Sequence, residues 1–201
     1  MLLTAAQTDA LTELVNISFA RTAASLSELT GHPVLLKVPS CVMHPIAQLD
    51  SQLADFMQGE VATVQQTFTG AISGSGILLL NYESAVELAE LVMPGEGWHK
   101  RRLDSAACEV LMEIGNILLN GCIGMMGNLL QIQLSFSVPQ LQIRALDTLL
   151  YSFVIGENEL SYALGMSTTF SLRDSLVTGY LMLVLDVASI ECLVQAVESW
   201  A

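Results

Sequence analysis

Positive charge is scarce in this chain. Seven Lys and Arg stand against twenty Asp and Glu, a net charge of −13 over 201 residues. A surface of that sign repels phosphate backbones and anionic headgroups alike, which argues against nucleic acid and against an anionic membrane as partners. Long apolar runs are missing too. The longest uninterrupted one covers residues 180–185; a membrane-spanning helix needs about 20 apolar residues, so this one reads as a buried strand. No basic segment opens the N-terminus, and Asp9 arrives too soon for a secretion signal. A cytoplasmic protein with no membrane insertion is expected. Cys41, Cys108, Cys122 and Cys192 form no CxxC pair, and His32, His44 and His99 are equally scattered. Neither a disulfide framework nor a metal site of the chain's own is expected from such spacing. The composition is 52 % hydrophobic and 13 % charged, which is ample for a core and unlike a disordered chain.

An internal repeat organises the rest. At a shift of 100 positions, Leu11, Glu13, Leu14, Asn16 and Ile17 return as Leu111, Glu113, Ile114, Asn116 and Ile117. Val34, Leu36, Val38 and Pro39 return as Leu134, Phe136, Val138 and Pro139. The first block of each copy has helical spacing, through Leu11, Leu14, Val15, Thr22 and Leu26, and through Leu111, Ile114, Leu118, Met125 and Leu129. Thr4 with Gln7 predicts a capping box, Asp104 predicts an N-cap, and Gly31 with Pro33 predicts the first helix's end. The next block alternates with period two, which predicts strands with Val34, Leu36 and Val38, or Leu134, Phe136 and Val138, facing a core. Pro39 and Pro139 are expected to end them. Gly74, Asn81 and Ser84 return at a shift of 105 as Gly179, Asp186 and Ser189, with Ser84 and Ser189 expected to cap two further helices.

The expected architecture is α+β: a mainly antiparallel sheet with two long site-bearing helices packed on it, and halves related by a pseudo-twofold axis. One domain is made of two repeats, about 1–94 and 103–201, joined by a linker near 94–102 that holds Pro94, Gly95 and Gly97. Residues 40–67 and 140–170 are harder to assign.

Each long helix carries a narrow polar stripe. In the first it is Asp9, Glu13 and Asn16; in the second it is Glu109, Glu113, Asn116 and Asn120. At about 100° per residue, the first three fall within roughly 60° of arc. A solvated face is the ordinary explanation of one such pair. Asn, however, is a poor helix former beside Lys, Gln or Glu. The pair also occurs twice in register, each time with Pro 23 positions after the Asn.

The pattern of Asp or Ser, three residues, Glu, two residues, Asn, twenty-two residues and Pro resembles the signature of the CheC, CheX and FliY phosphatases of bacterial chemotaxis. Asp9, Glu13, Asn16 and Pro39 match it fully. Glu113, Asn116 and Pro139 match a second copy, in which Glu109 replaces the usual Asp or Ser. Two sites in one chain look more like the CheC type than the one-site CheX type. The resemblance implies hydrolysis of the phospho-aspartate of a CheY-like response regulator. It makes Asn16 and Asn116 the catalytic, water-orienting amides and Glu13 and Glu113 the docking carboxylates, with Asp9, Glu109 and Asn120 as supporting candidates. The receiver would bring its own divalent metal, so no cofactor is expected on this chain. A CheD-like deamidase is a candidate second partner. The rival implication is a non-enzymatic adaptor or scaffold of the flagellar switch. Since Glu113, Asn116 and Pro139 keep the register, the second copy is expected to be competent as well.

Overall fold

A computed structural model describes residues 3–31, 33–49, 53, 57, 59–92, 102–149, 162–172 and 175–200. In chain order these form α1 (Ala5–Thr30), β1 (Val34–Pro45), a 3-10 turn (Ile46–Gln48), β2 (Glu60–Gly70), β3 (Gly74–Asn81), α2 (Tyr82–Val92) and α3 (Ser105–Leu129), then β4 (Leu134–Phe136), β5 (Gln140–Ala145), β6 (Tyr162–Leu172), β7 (Ser175–Leu185) and α4 (Val187–Trp200). The predicted linker lies outside the described residues up to 101, as do His32 and His99.

The long helices start where their side chains can close the first turn. Thr4 Oγ1 accepts from the Gln7 amide at 3.3 Å, and Gln7 Oε1 accepts from the Thr4 amide at 2.7 Å. Asp104 Oδ1 accepts from the Ala107 amide at 3.1 Å. Both arrangements satisfy donors that a helix start leaves open. Gly31, at φ 66°, closes α1 in the left-handed region that glycine enters without strain. The two shorter helices are capped three residues earlier than expected. Asn81 Oδ1 accepts from the Ser84 amide and Asp186 Oδ1 from the Ser189 amide, both at 2.7 Å. Asn81 is the last residue of β3 and Asp186 directly follows β7, so each strand runs straight into its helix cap, which leaves Ser84 and Ser189 inside the first turn.

The sheet runs β1-β6-β7-β3-β2-β4, with β5 also on β2, and every pairing is antiparallel. Exchange β1, β2 and β3 for β4/β5, β6 and β7, and the order reads the same from either end. β1 is therefore bonded to the β6–β7 hairpin, and β4 and β5 to the β2–β3 hairpin. Both edges slip at matching places. The register of β1 on β6 shifts between Lys37 and Ser40. Four residues on from Phe136, at Gln140, the partner has moved only three along β2, from Phe68 to Gln65. Pro39 and Pro139 sit in these two irregularities, where a missing N–H is tolerated. Pro39 therefore does not end its strand, since β1 continues to Pro45. Val138 is likewise no core residue; the slip turns it outward to 82 % exposure.

Both faces of the central strands are covered. Leu78, Leu80, Leu181, Leu183 and Leu185 join Leu11, Leu14, Val15 and Phe19 of α1 and Leu111, Ile114, Leu118 and Leu119 of α3 in the larger core. Ile77, Leu79, Tyr180, Met182 and Val184 face the other way, onto Leu49, Leu53, Leu146 and Leu149. Strands buried on both sides need no polar alternation, which is why residues 180–185 are continuously apolar. Each fully buried Leu or Phe contributes about 1.5–3 kcal/mol. By length and composition α3 alone among the described residues could cross a membrane, and half of that stretch is buried inside the molecule. Its polar stripe breaks the helix into short apolar runs.

Candidate active site

On α1 the stripe faces solvent while the opposite side is core. Asp9, Glu13 and Asn16 are exposed, and Leu11, Leu14, Val15 and Phe19 are buried. Among the described residues no hydrogen bond ties down the Asn16 amide, so both its C=O and its NH2 are available to a ligand. Glu13 stands one turn before it, close enough for both to engage one partner surface.

The copy on α3 is built differently. Glu109 and Glu113 are exposed, as on α1, but Asn116 and Asn120 are half-buried. Asn116 Oδ1 accepts from Asn120 Nδ2 at 2.6 Å and from Gln66 Nε2 at 3.3 Å. Gln66, on β2 and 2 % exposed, also donates Nε2 to the Ser137 carbonyl at 2.6 Å. Ser137 is held in the β4–β5 irregularity: its Oγ accepts from the Thr67 amide at 3.0 Å and its amide donates to the Thr67 carbonyl at 2.9 Å. Gly115 lets the network form. A Cβ there would lie 2.5 Å from Val64 Cγ1, so only glycine lets α3 come this close to β2. The matching residue of α1 is Val15, itself buried in the core.

The structure thus brings Glu13 with Asn16, and Glu113 with Asn116 and Asn120, onto their respective helix faces. It adds Gln66 and Ser137, which the sequence reading passed over. Gln66 carried a legible signal: Ala62, Val64 and Phe68 alternate toward the core, and Gln66 is the polar residue in that row. No group of three or more His, Cys, Asp or Glu side chains suited to a metal occurs among the described residues. Cys108, Cys122 and Cys192 are free thiols. Burial pushes the Cys122 thiol up to about 12, its hydrogen bond to Thr22 opposing only in part, which makes it a packing residue rather than a nucleophile.

No protein-family model matches the chain. It is 30 % identical over 89 residues to the flagellar motor switch phosphatase FliY of Bacillus subtilis (strain 168), a match covering 44 % of this chain and 22 % of that protein. In three dimensions it is similar to Thermotoga maritima FliY, with a TM-score of 0.82 at 20 % identity over 100 % of both chains. It is also similar to the FliM middle domain from H. pylori, with a TM-score of 0.64 at 11 % identity, covering 96 % of this chain and 99 % of that one. The fold is thus the one found in FliY and in the FliM middle domain. The partial sequence match to FliY and the shared fold agree with the resemblance to the CheC/CheX/FliY family of chemotaxis phosphatases and switch proteins.

Proposed function

We propose that this chain is a phosphatase that hydrolyses the phospho-aspartate of a CheY-like response regulator in the cytoplasm. The observation that carries this reading is the Glu13–Asn16 pair: exposed, one turn apart on one helix, with an amide that no hydrogen bond from the described residues ties down. An acyl phosphate is already activated, and the receiver would supply its own divalent metal. Catalysis then rests on positioning. Asn16 Oδ1 accepts a hydrogen bond from a water while Nδ2 donates to a phosphoryl oxygen, setting the water in line with the scissile bond. The water oxygen bonds to phosphorus, the bond from phosphorus to the aspartyl oxygen breaks, and the water proton leaves with inorganic phosphate. The aspartate departs as carboxylate. An amide suits this task because it brings no charge against the anionic phosphate. Glu13 and Glu113 dock a basic residue of the receiver, and Asp9 and Glu109 add to the negative rim.

The palindromic strand order and the matched register slips support a single domain of two repeats, about 1–94 and 103–201, related by a pseudo-twofold axis. A second reading, an adaptor in a flagellar switch or a binder of a CheD-like deamidase, is favoured by one observation: Asn116 is engaged internally rather than free.

The test is phosphate release from candidate receivers phosphorylated by a small-molecule donor, with and without this protein. Release above the receiver's own rate, abolished in Asn16→Ala, supports the phosphatase reading. Tight binding of phosphorylated receiver with no acceleration supports the adaptor.

A further inference from the structure

Gln66, Asn116 and Asn120 form a chain whose polarity is set at one end. The Ser137 carbonyl can only accept, so the Gln66 amide must present Nε2 to it. The same nitrogen then faces Asn116, which must present Oδ1. Asn120 in turn must present Nδ2 to that oxygen. Two donors fill the two lone pairs of Asn116 Oδ1. This polarity leaves Gln66 Oε1 and Asn120 Oδ1 buried without partners, an arrangement that stability alone does not favour. Asn116 Nδ2 is the group left over: it has no partner among the described residues and is not among the buried unpaired atoms. On α1 the position equivalent to Asn120 holds Ala20, which carries no amide, and among the described residues no hydrogen bond occupies the Asn16 carbonyl.

We propose that Gln66 and Asn120 are positioning residues that make Asn116 a donor-only amide, so that the α3 site grips a phosphoryl oxygen but does not orient a water, and hydrolysis is carried by Asn16. The inference rests on the phosphatase reading and assigns the two copies different work, narrowing the expectation that both hydrolyse. Orienting the attacking water requires a free acceptor, and at Asn116 both acceptor positions are taken. A donor-only amide beside Glu113 is suited to holding a phosphorylated receiver.

Steady-state hydrolysis of a phosphorylated receiver is measured for the wild type, Asn16→Ala, Asn116→Ala and the double variant Asn16→Ala/Asn120→Ala, with melting temperatures confirming folding. Asn16→Ala is expected to lose about 10²-fold in kcat. Asn116→Ala is expected to raise KM and leave kcat in place. In the double variant Asn116 regains a free lone pair, and hydrolysis should rise above that of Asn16→Ala, a gain no merely structural role produces. A separate readout follows the side-chain NH2 protons of Asn120 by amide-selective NMR; they should exchange slowly in the wild type and rapidly in Asn116→Ala. Wild-type kcat in Asn16→Ala, or a folded double variant no faster than Asn16→Ala, overturns the inference and leaves the phosphatase reading intact. Freely exchanging Asn120 protons in the wild type also overturn it. A wild type inactive on every receiver overturns the phosphatase reading itself, and this inference with it.

Discussion

Thr22 and Cys122, 100 positions apart in the chain, meet side chain to side chain: the Cys122 thiol donates to Thr22 Oγ1 at 3.6 Å. They lie six residues beyond Asn16 and Asn116 on their respective helices, about 9 Å along each axis. Equivalent positions of the two copies therefore touch at the contact between the helices, and each candidate site sits one and a half turns or so from that point. The contact is close because Gly121 has no side chain; a Cβ there would lie 2.5 Å from Thr22 Oγ1 and 2.8 Å from its Cγ2.

Two effects of opposite sign compete in Gly121→Ala. Alanine is better than glycine in a helix by about 1 kcal/mol. The added methyl meets Thr22, which is 2 % exposed and β-branched, so it cannot turn aside; overpacking of this kind costs about 1–3 kcal/mol. The clash is expected to win. The melting temperature of Gly121→Ala should fall by a few degrees, and that of Gly121→Leu by clearly more. Equal or higher melting temperatures would mean that α1 and α3 can separate without loss.

Activity and stability should come apart at the exposed stripe. Asn16 is exposed and has no hydrogen bond among the described residues, so in Asn16→Ala stability should stay within about 0.5 kcal/mol of wild type while receiver dephosphorylation is lost. Glu13→Ala and Glu113→Ala should raise KM more than they lower kcat, with the difference shrinking in high salt. A pure kcat effect that salt does not change would remove Glu13 from the docking role. Denaturant melts and kinetics on the same preparations check both.

The fold was legible in the sequence wherever one residue decides a local conformation. Thr4 with Gln7, Asp104 and Gly31 mark helix ends by mechanisms confined to a turn, and all three act as expected. The periods of α1, α3, β3 and β7 were readable because each element buries one face or two. Ser84 and Ser189 misled because cap quality is similar for Ser, Asn and Asp, and only the strand register shows that Asn81 and Asp186 come first. Pro39 misled because a proline fits a bulge as well as a strand end. The stripe of the site was visible from spacing alone. The difference between its two copies was not, because it depends on Gln66, fifty positions from Asn116 in the chain, and on a carbonyl that has no sequence signal.

Cys122 should leave a trace in the pH dependence of stability. Its thiol is pushed from an ordinary 9.0 to about 12, chiefly by burial. In the unfolded chain it loses its proton near 9.0, while in the folded chain it keeps it. Between these values the folded state binds more protons, so stability must fall as pH rises. Its contribution is fully present below about 9 and is lost toward about 12. Cys122→Ala should flatten the stability slope measured by denaturant titration between those limits. The wild-type thiol should also resist alkylation until the protein unfolds. Rapid labelling of Cys122 in folded protein would contradict its burial.

Gln66→Glu is the sharpest test of the buried network, because it changes one NH2 into an oxygen and almost nothing else. Gln66 Nε2 now donates to the Ser137 carbonyl and to Asn116 Oδ1, both acceptors. An ionised carboxylate there would face two acceptors without a donor, in a place that is 2 % exposed. Stranding a buried charge costs about 3–5 kcal/mol. A protonated carboxyl, by contrast, can still give one hydrogen bond to Ser137. The folded state therefore raises the new group's pKa above its unfolded value of about 4.3. Below that value the group is neutral in both states and the penalty is small. As pH rises past it, the unfolded chain ionises first and the folded protein loses stability until its own raised pKa is passed. Gln66→Glu should thus be nearly as stable as wild type at low pH and severely destabilised at pH 7, whereas Gln66→Met, which removes an unpaired buried carbonyl along with the donors, should stay within about 1–3 kcal/mol of wild type at both. Urea melts of the three proteins at the two pH values decide it. A substitution to Glu that costs nothing at pH 7 would mean that Gln66 does not face the Ser137 carbonyl and Asn116 as described, and the orientation of the Asn116 and Asn120 amides would no longer be fixed by Ser137.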